Sequence, residues 1–389
     1  MSHFAPLIQL NLLPSEPDTE SVAVPSIGRS ISITDDVAAL LAKNSVVAVG
    51  VSGGKDSDAC AIAVDAYLNQ IGHTGDRVLI HADLGRVEWK DSLPSCERLA
   101  NRLGWELMVV QRNAGDMLAR WQGRWANNLA RYQDLSCVKV ILPWSTPSMR
   151  FCTSELKVAV ITSALKKRYP GQDIVNVAGI RRQESPARSR MPISAPMASL
   201  TRRGNVGVSW NAIIEWKIEE VFDTIAGAGL RLHEAYTKYG ASRVSCAYCI
   251  MSTEADLRAA AGCEDNQEVY RRMVELEADS TFAFQGNRWL ADVAPSLLSE
   301  ELIARIQQAK QAGIVRQNAE SRIPEHLLYV KGWPTCVPSL DGARLLAEVR
   351  REVSNALGLA PTFIDPFEIQ GRYEILISEK AAKDSRKAA

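Results

Sequence analysis

The chain has 389 residues, 46% of them apolar, and 45 Lys and Arg are balanced by 45 Asp and Glu. That length suits one large domain or two with a sizeable core, and zero net charge excludes a general polyelectrolyte binder of nucleic acid, so any anion site must be local. No apolar run reaches the roughly 18 residues a membrane helix needs. The opening MSHFAPLIQLNLLPSEPDTE has no basic stretch ahead of a long apolar one, so the expectation is a cytoplasmic protein without a signal peptide and without membrane contact.

Residues 1–30 carry Pro6, Pro14, Pro17 and Pro25 and are expected to be irregular. Thr34, Asp35 and Asp36 then signal the start of a short helix over 35–43. β-Branched apolar runs alternate with helical patterns from there. Strands are expected over 45–51, 77–82, 106–111 and 174–178, and helices over 56–69, 93–103 and 153–167. This alternation predicts a mostly parallel sheet with helices on both faces. Residues 181–203 form a polar, irregular stretch with arginines at 181, 182, 188, 190, 202 and 203. After Cys249 the pattern is mainly helical, and the charged tail SEKAAKDSRKAA is expected to fray. The resulting division is 1–30, 31–250 and 251–389.

Ligands in such sheets bind beyond the carboxyl ends of the strands. Residues 52–57, 83–88 and 179–185 each follow a strand, so they are expected to share one crevice. The first of these reads Ser52-Gly53-Gly54-Lys55-Asp56-Ser57. Two glycines let backbone N–H groups turn inward, a helix start points its positive end the same way, and two hydroxyls and a cation complete a phosphate pocket. The G-x-x-x-x-G-K-[ST] string of other phosphate loops is absent. Cys246-Ala-Tyr-Cys249 has the spacing of a metal-binding or redox pair of thiols. Cys60, Cys96 and Cys137 fall in apolar or helical surroundings and are expected to be packing residues. His81 follows a strand and reads equally as a nucleotide contact or a core histidine. Trp210 and Trp216 are expected to line the substrate side.

The SGGKDS string resembles the pyrophosphate loop of the N-type ATP pyrophosphatases. HADLGRVEWKDSL (81–93), FCTSELKVAVI (151–161), AGIRRQESPARSR (178–190) and the 213–249 stretch ending in Cys-x-x-Cys are similar to motifs of phosphoadenylylsulfate (PAPS) reductase-like proteins. The resemblance covers about residues 45–250. It implies an adenine nucleotide α-hydrolase-like PP-loop fold, a parallel twisted sheet with helices on both faces, with a mainly helical C-terminal region added. It implies ATP held by Ser52, Gly53, Gly54, Lys55, Asp56 and Ser57. Asp83 and Gly85 would lie near the adenosine or a Mg2+ ion, a turn cap being the other reading of Asp83. Arg181 and Arg182, with Gly179 and Glu184, would sit at the transferred phosphate, and Lys55, Asp56, Arg181 and Arg182 would carry the catalysis. Cys152, Cys246 and Cys249 would hold a 4Fe-4S cluster, with zinc on the same residues as runner-up. Cys263 or Cys336 could be a fourth ligand, or that position could stay open for sulfur.

The Glu-Cys-Gly-Leu-His motif of sulfonucleotide reductases is missing, which favours the DndC-like and SspD-like branch of DNA phosphorothioation and anti-phage defence. The implied reaction is ATP cleavage to AMP and pyrophosphate, adenylation of a DNA phosphate, and sulfur delivery through the cluster. Implied partners are a cysteine desulfurase, the DNA and further modification-complex subunits, with residues 181–203 contributing phosphate contacts. The alternatives are PAPS or adenylylsulfate reduction, tRNA thiolation, and a nucleotide-binding scaffold without turnover.

Overall fold

The computed structural model describes residues 30–388, so the proline-bearing opening stretch lies outside it. The first elements are α1 (Asp35–Ala42), β1 (Val46–Val51), α2 (Lys55–Gln70), β2 (Arg77–Asp83), α3 (Ser92–Leu103) and β3 (Glu106–Gln111). They match the expected elements apart from small shifts at their ends. Thr34 does occupy the cap position of α1, but its hydroxyl bonds Ser194 Oγ at 2.8 Å and leaves the helix N–H groups alone.

A helix that the sequence reading missed follows, α4 (Met117–Gln133). Its apolar stripe, Leu118, Trp121 and Trp125, is diluted by arginine, asparagine and glycine. The expected helix at 153–167 begins earlier. It opens as α5 (Phe151–Thr153), passes through a π turn at Ser154–Val158 and continues as α6 (Ala159–Arg168). After β4 (Ile174–Ala178) the arginine-rich stretch is more ordered than expected. It contains two 3-10 turns and the short strand β5 (Ser194–Pro196), which pairs antiparallel with β6 (Gly207–Trp210).

The six strands lie in the order β3-β2-β1-β4-β6-β5, and every pairing except β5–β6 is parallel. The sequence Val-Val-Ala-Val-Gly-Val suits β1 for the middle, since it is buried along nearly its whole length between two helical layers. From β1 the chain moves outward to β2 and β3, then returns so that β4 pairs with the opposite edge of β1. The strand order therefore reverses at β1 and β4, and a crevice opens at their carboxyl ends.

Trp210 and Trp216 belong to the core on one face of this sheet, which corrects the expectation of a substrate wall. Their indole N–H groups reach inward to the carbonyls of Ser32 and Ser30, at 2.7 and 3.2 Å. A large buried ring with one polar atom packs where that atom finds a partner.

The remaining helices are α7 (Ile218–Gly227), α8 (Glu234–Thr237), α9 (Glu254–Ala261), α10 (Gln267–Ser280), α11 (Glu300–Ser321), α12 (Leu340–Ala356) and α13 (Pro366–Ala388). One apolar cluster runs from Leu84 through Trp144 to Ile306 and includes residues on both sides of position 250. Another joins the end of α4 to α11, α12 and α13. The tail expected to fray is helical to Ala388, because Ile369, Tyr373 and Leu376 bury one face of α13 and Lys380 pairs with Asp384 one turn on. Among the described residues no helix is long and apolar enough to cross a membrane.

Candidate nucleotide site and neighbouring thiols

β1 delivers the chain to the crevice, and the turn into α2 must be tight. Gly53 has φ +70°, and a Cβ there would stand 2.8 Å from the Ser92 carbonyl oxygen and 3.0 Å from Ser95 Cβ. Both conditions demand glycine. Gly53 and Gly54 are buried, and among the described residues their N–H groups donate to no protein acceptor. Two buried, inward-turned donors at a helix start form a cradle for anionic oxygens.

The walls of the cradle are positive. Lys55, 7% exposed, has its Nζ 3.4 Å from Asp56 Oδ2, and it donates to the Ser242 carbonyl at 3.3 Å. Arg181, 4% exposed, pairs through Nε with Asp56 Oδ1 at 2.6 Å. That ion pair crosses from the end of β4 to the start of α2, so it closes the crevice at the strand reversal. Gly179 permits the approach, since a Cβ there would lie 2.3 Å from the Asp56 carbonyl oxygen. Ser57 Oγ donates to the Gly54 carbonyl at 2.7 Å and accepts the Ser52 N–H at 3.4 Å, which stiffens the turn.

Arg182 and Glu184 are engaged elsewhere. The Arg182 guanidinium pairs with Glu215 at 2.7 Å and donates to the carbonyls of Ser189 and Met191. Glu184 accepts the Arg181 N–H at 2.9 Å and pairs with Arg188. The two hold the 181–191 stretch in shape. Asp83 is a turn cap, accepting the Gly85 N–H at 2.7 Å. Gly85, at φ +71°, leaves room for Asp116, whose carboxylate pairs with Arg86 at 2.6 Å. Asp83, Gly85, Gln111, Arg112 and Asp116 line a cleft of about 450 Å3 at the carboxyl ends of β2 and β3.

Several residues at this site carry no local signal in the sequence. Tyr236 OH accepts the Lys55 N–H at 3.3 Å, from 181 positions away, and the Val244 N–H at 3.1 Å. His233 is buried behind Gly53, where its Nδ1 accepts the Ala235 N–H at 3.0 Å. Burial drives its pKa down to about 4 and keeps the ring neutral. Asp58 is buried beneath the loop, and burial pushes its carboxyl up to about 7 against the Ser57 bond and the Arg98 charge.

His81 is a core histidine. Its Nδ1 lies 3.1 Å from the Val51 carbonyl and its Nε2 3.0 Å from Glu88 Oε2. Burial opposes charge on the ring, but the bonds to Cys96 and Glu88 outweigh it and its pKa is pushed up to about 10. Both nitrogens face acceptors, so the doubly protonated ring satisfies the site.

Ser242 and Val244 pack on the glycine-rich loop, Ser242 through its carbonyl to Lys55 Nζ and Val244 beside Gly54. The Ala247 N–H donates to the Val87 carbonyl at 2.8 Å and docks the Cys-x-x-Cys on the second loop. Burial pushes the Cys246 thiol up to about 12. Lys157 opposes that shift, and the charges of Cys249 and Cys152 add to it. Cys152, Cys246 and Cys249 are thus electrostatic neighbours, and thiolates suit an iron–sulfur cluster or zinc. As placed, they do not form a closed ligand set: among the described residues no three His, Cys, Asp or Glu side chains could together hold a metal ion. Of the fourth-ligand candidates, Cys263 is buried in the same apolar cluster, while Cys336 bonds the His326 carbonyl at 3.6 Å in the C-terminal region. Cys60, Cys96 and Cys137 are buried, as packing residues should be.

A mostly parallel sheet with a glycine-rich loop at its strand reversal defines an α/β protein with a candidate anion site there. The chain belongs to the phosphoadenosine phosphosulfate reductase domain family, which matches residues 46–252. It is similar to an uncharacterized 37.8 kDa protein in the gpa 5′ region of Escherichia phage 186, at 26% identity over 56% of this chain and 70% of that one. Among solved structures it is similar to the phosphate complex of PAPS reductase from Candida auris, with 13% identity, TM-score 0.34, 56% of this chain and 98% of that one. It is also similar to the U34-tRNA thiolase NcsA from Methanococcus maripaludis with its [4Fe-4S] cluster, with 14% identity, TM-score 0.34, 60% of this chain and 72% of that one.

Proposed function

We propose that this protein is an ATP pyrophosphatase that adenylates a backbone phosphate of DNA so that sulfur can replace one of its oxygens, in phosphorothioate modification and anti-phage defence. The observation that carries the reading is the buried Gly53–Gly54 cradle, walled by Lys55 and Arg181, with Ser242 and Val244, just ahead of the Cys-x-x-Cys, packed on it.

The β and γ phosphates of ATP occupy the cradle; Asp83 would hold a Mg2+ ion against them, and such an ion would offset their charge. A non-bridging oxygen of the nucleic-acid phosphate attacks the α-phosphorus, the bond to the bridging oxygen breaks, and pyrophosphate leaves into the loop. Gly53, Gly54 and Lys55 stabilise the charge that develops on it, and Arg181 does so at the transferred phosphoryl group. The terminal sulfur of a persulfide, supplied by a cysteine desulfurase, then attacks the activated phosphorus and expels AMP. A thiol reductant cleaves the remaining S–S bond and departs as a disulfide. Cys152, Cys246 and Cys249 are the residues that would take a 4Fe-4S cluster, or zinc, once their thiols converge. Such a group supplies a soft site for sulfur.

The test is anaerobic purification followed by assays of pyrophosphate and AMP with ATP alone, with DNA and with tRNA. DNA-dependent release of both products is expected, together with sulfur-containing dinucleotides in nuclease digests. No pyrophosphate under any condition refutes the reading, and tRNA-dependent release moves the substrate from DNA to tRNA. Family membership favours one other reading, the reduction of PAPS or adenylylsulfate, which predicts sulfite without pyrophosphate formation.

A further inference from the structure

Three of the six arginines of 181–203 are neutralised by carboxylates: Arg181 by Asp56, Arg182 by Glu215 and Arg188 by Glu184. A second basic region lies elsewhere. The loop after β3, α4 and the segment from the start of α5 through the π turn carry Arg112, Arg120, Arg124, Arg150 and Lys157. The Arg120 and Arg124 guanidinium groups lie 4.7 and 4.9 Å from the centre of the Phe151 ring. Glu155 pairs with Arg120 at 2.7 Å. Among the described residues Arg112, Arg124, Arg150 and Lys157 have no ion-pair partner. Burial, and then the charge of Arg120, hold Arg124 below the ordinary arginine value. The charge of Glu155 also reaches Arg112 and Arg124, so one carboxylate faces several cations, and like charges in excess of their counter-ions cost stability until an anion joins them. Guanidinium groups in such a cluster suit phosphate oxygens, which they bind in pairs.

A groove adjoins this face. Arg124 Nη2 lies 3.8 Å from Met149 Sδ, in the turn at 146–149. Pro147 of that turn lines a groove of about 780 Å3 whose other walls include Met251, Gln285, Arg288 and Trp289, with Glu254 and Asp292, paired to Arg258 and Lys310, at its edge. Gln285 Nε2 donates to the carbonyls of Cys249 and Ser252, so the groove abuts the backbone that follows the Cys-x-x-Cys. Its volume fits a nucleotide, and Trp289 offers a ring for a base to stack on.

We propose that Arg112, Arg120, Arg124 and Arg150 form the track for the backbone of a single-stranded nucleic acid, and that the adjoining groove receives one of its bases against Trp289. Charge complementarity selects the occupant: a polyanion with several phosphates matches a group of guanidiniums of which only Arg120 is ion-paired among the described residues, and an isolated strand has a base free to enter the groove. This inference rests on the nucleic-acid substrate of the proposed function. It adds the face beside Cys152 to residues 181–203, where three of the six arginines are already paired.

The test is fluorescence anisotropy of the full chain with a labelled single-stranded DNA of about 20 nucleotides, titrated across salt concentrations. Arg112→Glu/Arg150→Glu is expected to weaken binding at least tenfold and to flatten the salt dependence by roughly 1.4, or 0.7 for each lost phosphate contact on a single strand. Trp289→Ala is expected to weaken binding roughly fivefold or more. Arg344→Glu/Arg351→Glu on α12 makes the same change in net charge and is expected to leave affinity near wild type. Circular dichroism checks that each variant is folded. Equal losses in the two arginine pairs would overturn the track, as would wild-type affinity in Arg112→Glu/Arg150→Glu. Wild-type affinity in Trp289→Ala overturns the groove, and a preference for duplex overturns the single strand. If the track fails while DNA still stimulates pyrophosphate release, the proposed function stands. If wild-type protein binds no nucleic acid at all, both fall together.

Discussion

Gly53→Ala tests the anion cradle most directly. The substitution has two effects that the structure separates. Placing an L-residue at φ +70° costs about 1–2 kcal/mol. The new Cβ also stands 2.8 Å from the Ser92 carbonyl, a backbone atom in the first turn of α3, with Ser95 Cβ and His233 Cδ2 behind it. α3 is packed against the sheet, so the loop moves by a few tenths of an ångström. The total stability loss is expected to be about 1–3 kcal/mol, which leaves the protein folded. The shift takes the Gly53 and Gly54 N–H groups off their aim, and losing one such donor typically costs 10²–10³ in rate. Pyrophosphate release at saturating ATP is therefore expected to fall roughly 10²-fold. Gly72→Ala is the control, because Gly72 has φ +69° with nothing within 4 Å of its Cβ position. It shares the backbone cost and spares the loop. Thermal melts and a pyrophosphate assay on both variants decide the matter. If the two variants release pyrophosphate equally fast, the loop is not the anion cradle.

Further outcomes follow from the buried charges and thiols. His81, raised from 6.5 to about 10, contributes stability in full below about pH 6.5 and loses it as pH rises through 10. Asp58 and Glu277, raised from 3.8 and 4.5 to about 7, contribute below about pH 4 and lose that contribution as pH rises through 7. Denaturant melts should therefore show stability from these groups declining across both windows, with His81→Gln flattening the upper one and Asp58→Asn the lower. A His81→Gln profile parallel to wild type above pH 6.5 would contradict the charged ring. Replacing Cys152, Cys246 or Cys249 with Ser should remove iron and acid-labile sulfide from anaerobically purified protein while ATP binding persists, and bound zinc in the wild type would instead select the second metal reading. Arg350 is 1% exposed and donates to the carbonyls of Tyr132 and Thr362, each at 2.9 Å. Arg350→Leu strands both acceptors and should lower stability by roughly 2–4 kcal/mol, measured by urea melts, with little change in nucleotide binding.

Much of the site was legible because its signals are local. β1 announces itself by an unbroken β-branched run, α2 by the glycines ahead of it, and the crevice by three polar loops that each follow a strand. Other features had no such mark. α4 was missed because its apolar residues are sparse and their burial depends on helices that arrive more than a hundred positions later. β5 and β6 are three and four residues long, and their status as strands comes from pairing with each other and with β4. The arginines of 181–203 read alike in sequence, yet Arg181 turns to Asp56 across the crevice and Arg182 turns away to Glu215.

The sequence by itself determined the sheet's mostly parallel character, the glycine-rich loop and its place at a helix start, because backbone conformation and strand burial follow from residues a few positions apart. Tertiary structure decided which charges remain unpaired, which tryptophans turn inward and which thiols become neighbours. Those outcomes depend on pairs such as Lys55 and Tyr236 or Val87 and Ala247, brought together by the crossovers of the sheet. Ion pairing and burial depend on distance in space, and residue spacing along the chain does not encode it.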